Sequence, residues 1–222
     1  MNRLGINFEF IFDKDPEKIS KHDLTKFNQN RLKIGAISCV LKHINAWKKF
    51  AKSDSNLALI LEDDIIFKKD FLENLEIILK QISDMHPSFL AFLGGMDNRF
   101  DGRFFNNSKI SLIKYPISTT EAYIIDKESN FKRLDWVKNN KIEHAADHLI
   151  KKIDNELSIS QYRVSKPMVF QGSLSGIFYS ELDDSRSKHS RVYIFLRFYW
   201  GVLRKQYLPR FFYKLKSYLK FK

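Results

Sequence analysis

The sequence predicts an α/β fold in which a mixed, mostly parallel β-sheet is flanked by helices. Short apolar runs typical of buried strands alternate along the chain with longer amphipathic patterns typical of helices, and this alternation predicts the fold. Hydrophobic residues make up 44% of the 222 positions, with only 8 glycines and 5 prolines. That composition indicates a folded protein, and the length suits a single domain with a substantial core.

The first predicted elements are a strand and a helix. "INFEFIF", residues 6–12, alternates apolar and polar side chains and then meets "DKDP", which predicts a short strand followed by a loop. Between Ile34 and Phe50, apolar residues recur at the spacing of one helical face, as at Ile37, Leu41 and Ile44.

Further strands and a helix follow in alternation. "LALIL" (57–61) reads as a strand buried on both faces, residues 71–82 as an amphipathic helix, and "FLAFLGG" (89–95) as a strand with a sharp stop. A polar, aromatic loop is predicted at residues 97–107, and "EAYIID" (121–126) is a further short strand. In such sheets ligands bind beyond the carboxyl ends of strands.

Three consecutive carboxylates, Glu62, Asp63 and Asp64, lie at such a strand end. Because side chains alternate along an extended chain, Glu62 and Asp64 are expected to point to one side and Asp63 to the other. Crowded carboxylates are commonly neutralised by Mg²⁺ or Mn²⁺, so we assign Glu62 and Asp64 to a metal site. The alternative is that the cluster caps a turn or the following helix.

The positive charge is concentrated at the carboxyl-terminal end of the chain. The formal net charge is +12, and the residues after Asp184 contribute 11 Lys and Arg with no Asp or Glu, which leaves 12 − 11 = +1 for the rest. Aromatic residues are frequent in the same segment, which reads as two amphipathic helices separated by Pro209. This combination favours an anionic membrane surface. Binding of single-stranded nucleic acid and simple packing on the domain are the alternatives. No transmembrane helix is predicted.

Several blocks resemble glycosyltransferase family 25, the lipooligosaccharide-type enzymes, in the same order. Gly35, His43, Trp47 and the Leu-Glu-Asp-Asp of residues 61–64 match the first block. "FLGG" (92–95), "TTEAYIID" (119–126), "AADHLI" (145–150) and "VFQGSLSGI" (169–177) match the later ones. The resemblance covers most of residues 3–180.

The resemblance implies a GT-A-like fold, a UDP-sugar donor and transfer of a hexose, such as galactose or glucose, to a saccharide with inversion. Glu62 and Asp64 would take the place of the metal-binding element, with Mn²⁺ or Mg²⁺ as the cofactor. Asp147 is the candidate base for the acceptor hydroxyl. Residues assigned to the donor site are His43, Asp63, Gly94 and Gly95; those assigned to the acceptor site are His148 and Gln171. His43 also fits a buried, hydrogen-bonded structural residue.

Two features depart from the family pattern. Lys42 stands where Ser usually precedes the His. The family's first strand and helix are also expected to be missing, since "MNRLGINFEFIFD" resembles the end of that unit, which opens the possibility of an inactive remnant.

The sequence thus predicts a catalytic domain at 1–184 and a basic aromatic membrane-associating tail at 185–222. The expected protein is a bacterial, cytoplasmic glycosyltransferase, peripheral on the inner membrane, that extends a lipid-linked oligosaccharide. A nucleic-acid-binding module is the remaining alternative, but no nucleic acid is expected because no recognised motif is present.

Overall fold

The computed structural model describes residues 5–28, 31–95, 110–178 and 190–220. Its strands form a five-stranded sheet in the order β1-β5-β3-β6-β4 and a two-stranded sheet of β2 and β7. The strands are β1 (Leu57–Leu61), β2 (Ile65–Phe67), β3 (Phe89–Phe92), β4 (Leu112–Lys114), β5 (Ala122–Asp126), β6 (Ser160–Val164) and β7 (Val169–Gln171). The α-helices are α1 (Lys21–Leu24), α2 (Ile34–Lys52), α3 (Phe71–Ser83), α4 (Lys127–Asn139), α5 (Ala146–Glu156), α6 (Arg191–Val202) and α7 (Leu208–Lys220). The predicted α/β class is confirmed.

Backbone hydrogen bonds define the strand directions. The amide of Glu62 donates to the carbonyl of Glu121, and the amide of Lys127 donates to that of Asn56, so β1 and β5 run antiparallel. Strands β4 and β6 are also antiparallel, with Ile113 opposite Arg163. The sheet is therefore mixed, with antiparallel neighbours at these two pairs.

The predicted strand at residues 6–12 is wrong. This segment forms no strand, and Phe8, Phe10 and Phe12 are exposed. Their rings contact one another instead, with centroid distances of 5.0 Å between Phe8 and Phe10 and 4.9 Å between Phe10 and Phe12. Alternation brings these rings to one side of the chain, but a strand also needs a neighbouring backbone that accepts its hydrogen bonds. The predicted loop at 97–107 lies outside the described residues.

The chain divides into two compact units, and the first comprises residues 1–60, 85–91 and 123–161. Its centre is α2, which packs on α4 and α5. The apolar stripe predicted for α2 is confirmed, since Ile37, Leu41, Ile44 and Trp47 are all buried. Burial of such a stripe against neighbouring elements is the main stabilisation of a helix in a globular protein.

A polar cluster also lies in the interior of the first unit. Arg133 of α4 forms two hydrogen bonds of 2.8 Å with Asp154 of α5, and both side chains are fully buried. Gln161 donates to the same carboxylate, and Ser129 accepts from the guanidinium. These contacts satisfy the charges, which is required when an ion pair is removed from water.

The second unit comprises residues 61–84, 92–122 and 162–222. It contains α3, the β2–β7 pair and a continuous helical run over residues 191–220, where α6 and α7 are joined by a π-helical turn, Leu203–Tyr207. The predicted separation at Pro209 is wrong, because the run continues through this residue; its irregular π-helical turn lies directly before Pro209, which has no N–H to donate to the preceding turn. Across the described residues, every helix falls short of the length and apolar character that a membrane crossing requires.

Candidate active site

The acidic cluster lies in a tight connection between β1 and β2. Glu62 follows the last residue of β1, Asp63 and Asp64 form a turn, and β2 begins at Ile65. Asp63 is exposed, while Glu62 and Asp64 are both half-buried. This is the arrangement that side-chain alternation predicts, with the first and third carboxylates on the protein side of the turn.

Glu62 is held by two neutral donors from distant parts of the chain. The hydroxyl of Thr120 donates to Glu62 Oε1 at 2.5 Å, and the side-chain amide of Gln171 donates to Glu62 Oε2. Gln171 reaches this position because β7 pairs with β2, with Gln171 opposite Ile65. Both oxygens of Glu62 are thereby fixed in orientation.

Asp64 is held differently, by the backbone that follows β7. The amide of Gly172 donates to the carbonyl oxygen of Asp64 at 2.6 Å, and the amide of Ser173 donates to Asp64 Oδ2 at 3.3 Å. A Cβ at Gly172 would lie 2.9 Å from the Asp64 carbonyl oxygen, so only glycine permits this approach. Asp64 Oδ1 is buried and accepts no hydrogen bond from the described residues.

The electrostatic environment of Asp64 disfavours its negative charge. Burial raises the pKa of Asp64 above its usual value, and the nearby charges of Glu62 and Asp63 raise this pKa further, while the hydrogen bond from Ser173 opposes them. A bound cation would offset the crowding of negative charge and complete the coordination of Oδ1.

A further carboxylate, Glu121, directly precedes β5 and lies opposite Glu62. Its backbone carbonyl accepts from the amide of Glu62, and its side chain is buried and accepts a hydrogen bond from the amide of Gly95. A Cβ at Gly94 would overlap the Glu121 carboxylate. Of the two glycines that follow β3, Gly94 therefore makes room for this side chain and Gly95 holds it.

The residues of the cluster suit a hard divalent cation. Glu62 and Asp64 supply carboxylate oxygens, which Mg²⁺ and Mn²⁺ prefer, and Asp64 Oδ1 is a buried acceptor that the described residues leave unsatisfied. Thr120, Gln171 and Ser173 orient the two carboxylates in the manner of the outer shell of a metal site.

His43, assigned to the donor site, lies in the first unit as part of a buried aromatic cluster. Its Nδ1 is 2.9 Å from the hydroxyl of Tyr123, and the indole of Trp47 donates to the same hydroxyl at 3.1 Å. Burial raises the pKa of Tyr123, although the charges of His43 and Arg133 and the hydrogen bond from Trp47 oppose this. These contacts agree with the alternative interpretation of His43 as a buried, hydrogen-bonded structural residue.

The remaining predicted residues of the first unit lie at its surface. Asp147 and His148 are adjacent in the first turn of α5, where Asp147 Oδ1 accepts from the backbone amide of His148 at 2.8 Å. The Asp147 carboxylate is about one-third exposed. Lys42, which departs from the family pattern, forms an ion pair of 2.7 Å with Asp15.

Sequence reasoning missed Thr120, Glu121 and Ser173 as members of the site. All three fall in the blocks "TTEAYIID" and "VFQGSLSGI" that carry the resemblance. Their relation to Glu62 and Asp64 depends on hydrogen bonds between residues that lie roughly 60 to 110 positions apart in the sequence. Gln171, assigned to the acceptor site, is a direct partner of Glu62.

The carboxylates lie at the end of a strand of a mixed α/β sheet, which is where such sheets commonly bind their ligands. The profile of glycosyltransferase family 25 (LPS biosynthesis protein) matches residues 1–150, more than half of the chain. The chain therefore belongs to glycosyltransferase family 25.

One relative extends this comparison. "Putative glycosyltransferase R655" of Acanthamoeba polyphaga mimivirus is 43% identical over 63 residues, which cover 28% of this chain and 18% of that protein. The matched stretch thus spans less than a fifth of the length of this relative.

Proposed function

We propose that this protein transfers a hexose from a UDP-sugar to the oligosaccharide of a lipid-anchored lipooligosaccharide or lipopolysaccharide acceptor, with inversion. Membership of glycosyltransferase family 25 supports transfer of a sugar. The observation that carries the donor part of the proposal is Asp64, whose buried Oδ1 lacks a hydrogen-bond donor among the described residues. Glu62, two residues earlier in the chain, has its carboxylate held by Gln171.

In this proposal Glu62 and Asp64 hold Mn²⁺ or Mg²⁺, and Thr120, Gln171 and Ser173 keep the two carboxylates in position. When bound, the cation supplies positive charge that stabilises the negative charge developing on the departing UDP. The proposed donor contacts are Asp63, which is exposed on the same turn, the glycines Gly94 and Gly95 that follow β3, and His43.

The proposed reaction needs one further carboxylate. The acceptor hydroxyl oxygen forms a bond to the anomeric carbon, the bond from that carbon to UDP breaks, and UDP leaves with the electron pair. The hydroxyl proton goes to Asp147, whose carboxylate is accessible to solvent. His148 and Gln171 are the proposed acceptor contacts.

Calorimetric titration of the purified chain with UDP, with and without Mn²⁺, tests the donor site. The expected result is binding that requires the metal, weakened by more than about tenfold in Asp64→Asn, since even outer-shell partners of a metal contribute that much. Asp70→Asn is the matched control, because Asp70 is an exposed carboxylate at the start of α3. Equal binding by both variants, or binding indifferent to Mn²⁺, would overturn the metal assignment. An absence of UDP binding by the folded wild type would favour an inactive remnant.

The proposed location is the cytoplasmic face of the inner membrane, where a lipid-linked acceptor is tethered. The excess of Lys and Arg after Asp184 supports this location, because cations beside aromatic rings bind anionic headgroups. The proposed boundary between catalytic domain and tail, at residues 184 and 185, lies outside the described residues.

A further inference from the structure

The helical run over residues 191–220 packs on its own unit through a narrow stripe. Phe198, Val202 and Gln206 are buried and recur every four residues, and half-buried Arg210 continues the series with a hydrogen bond to the carbonyl of Ser165. The ring of Phe198 stacks on that of Phe170, with centroids 6.3 Å apart. One side of the run therefore faces the protein.

The opposite side of the run is exposed and mostly apolar, although the exposed Arg204 lies in the same row, between Trp200 and Leu208. Trp200 is 62% exposed and Phe211 is 60% exposed, although water normally meets polar side chains on such a surface. We call this surface the outer face, and its main members are Leu196, Trp200, Tyr207, Phe211, Leu215 and Leu219.

The π-helical turn keeps the outer face continuous. A four-residue repeat drifts around an α-helix, because 3.6 residues complete a turn. In the π-helical turn, Leu203–Tyr207, each hydrogen bond spans five residues instead of four, so each residue advances less around the axis. This slower advance offsets the drift, so helix geometry is expected to bring the exposed apolar rows of α6 and α7 to one side. The combined run of 30 residues, from 191 to 220, would be about 45 Å long.

The charge of the run has a single sign. Residues 190–220 contain eight Lys and Arg and no Asp or Glu. On α7, Lys214 and Lys216 lie beside the apolar row of Phe211 and Leu215 rather than within it. An apolar face bordered by cations is the pattern of a helix that lies in the boundary between headgroups and acyl chains.

We propose that the outer face inserts into this boundary of an anionic bilayer, with the axis of the helical run parallel to the membrane. Half of its main members are leucines, which cannot stack on nucleobases, so the face favours acyl chains over a nucleic acid. Its aromatic members suit the headgroup level, where a ring and a polar tip are both accommodated. This inference deepens the location given in the proposed function and identifies the surface responsible.

Intrinsic tryptophan fluorescence of the full chain with phospholipid vesicles tests the insertion. Trp47 and Trp136 are buried, so a change on binding reports mainly on Trp200. With vesicles of phosphatidylcholine and phosphatidylglycerol, the emission is expected to shift to the blue and to become quenched by brominated acyl chains. Binding without either change would overturn the insertion.

Two single substitutions of the same kind provide the matched comparison. Phe211→Ser removes a member of the outer face, while Phe131→Ser removes a comparably exposed ring from α4 of the first unit. The first is expected to weaken vesicle partitioning by about tenfold or more, as the loss of one buried aromatic side chain predicts, and the second to leave it unchanged. Equal partitioning by the two variants would refute the proposal.

The requirement for anionic lipid has its own test. Lys214→Gln and Lys216→Gln are each expected to weaken partitioning about fivefold at low salt, in line with the usual contribution of one cation near a charged surface. If the wild type bound vesicles of pure phosphatidylcholine as well as vesicles containing phosphatidylglycerol, the proposed requirement for anionic lipid would be contradicted.

The competing occupant of the outer face is a second copy of this chain. If Phe211→Ser converts a dimer into a monomer in solution without affecting vesicle binding, the membrane proposal is overturned. UDP binding is expected to be the same in Phe211→Ser and the wild type, so failure of the donor site and failure of the membrane surface give different results.

Discussion

The side-chain amide of Gln171 donates a hydrogen bond to the carboxylate of Glu62, although the two residues are 109 positions apart in the sequence. The contact depends on the pairing of β7 with β2. This hydrogen bond connects one of the proposed metal-binding carboxylates to β7. The involvement of β7 in the site cannot be inferred from the acidic cluster alone.

Replacement of Gln171 by Ala is expected to weaken Mn²⁺-dependent UDP binding by about tenfold or more, because an outer-shell partner orients its carboxylate for the metal. Gln81→Ala is the control, since the Gln81 amide contacts only the backbone, at Ile110 and Leu112, among the described residues. Calorimetry on both variants measures the effect. The same loss of affinity in both would show that Gln171 has only a general structural role.

Replacement of Gly94 by Ala is expected to destabilise the fold by about 1 to 3 kcal/mol, because the new Cβ overlaps the Glu121 carboxylate. Gly201→Ala makes the same change on α6, where a Cβ would meet nothing within 4 Å. Gly201→Ala is expected to stabilise the fold by about 0.5 to 1 kcal/mol, since glycine is unfavourable inside a helix. Urea denaturation of both variants gives the two free energies, and a Gly94→Ala protein as stable as the wild type would refute the overlap.

Replacement of Arg133 by Met is expected to destabilise the fold by about 3 to 5 kcal/mol, because it leaves Asp154 buried without its cation. In the double variant Arg133→Met and Asp154→Leu, much of this loss is expected to be recovered, since neither charge remains. Lys152→Met, at an exposed ion pair with Glu156, is expected to cost less than about 0.5 kcal/mol. A small effect of Arg133→Met in urea denaturation would contradict the buried pair.

The contribution of Asp23 to stability is expected to depend on pH. Burial alone would raise its pKa, but hydrogen bonds from Lys14 and Ser20 lower the pKa of Asp23 to about 2, below the value of 3.8 for an unperturbed Asp. A lowered pKa stabilises the folded state above pH 3.8, and this contribution disappears as the pH falls towards 2. Asp23→Asn removes the titrating group.

The free energies of unfolding of wild type and Asp23→Asn, measured from pH 6 to pH 2, test this dependence. Their difference is expected to be largest near pH 6 and to shrink as the medium becomes acidic. A difference that stays constant with pH would show that the carboxylate has the same affinity for protons in the folded and unfolded chain.

The helices α2 and α3 were predicted from their apolar spacing, whereas α4, which has no such spacing, was not. In α2 the buried positions follow the predicted stripe. In α4 the buried residues include Ser129, Asn130 and Arg133, while Phe131 is exposed. The polar side chains of Asn130 and Arg133 can be buried because α2 and α5 supply their partners, the Trp47 carbonyl and Asp154, and no periodicity in the sequence contains that information.

The strands show the same limit. The predicted strand at "LALIL" is confirmed, because a short continuous apolar run is typical of a strand. Its predicted burial on both faces is wrong, since β1 is the end strand of the sheet and its five residues are only half-buried. Residues 6–12 have an equally clear alternation but no strand partner. Alternation is a property of a single segment, whereas a strand forms only when a second segment pairs with its backbone.

For the candidate site, the sequence by itself determined the chemistry of the acidic cluster and the sides on which its members lie. Three consecutive carboxylates after an apolar strand have their alternation set by local backbone geometry. It also determined the family, through blocks in a fixed order, and the cationic and aromatic character of residues 185–222.

Only the tertiary structure decided which residues hold those carboxylates, where Glu121 is placed, and which side of residues 191–220 remains exposed. These features arise from hydrogen bonds and packing between residues far apart in the chain, as between Glu62 and Gln171. Such contacts form only when folding closes the loops between them, and their partners cannot be read from any short stretch of sequence.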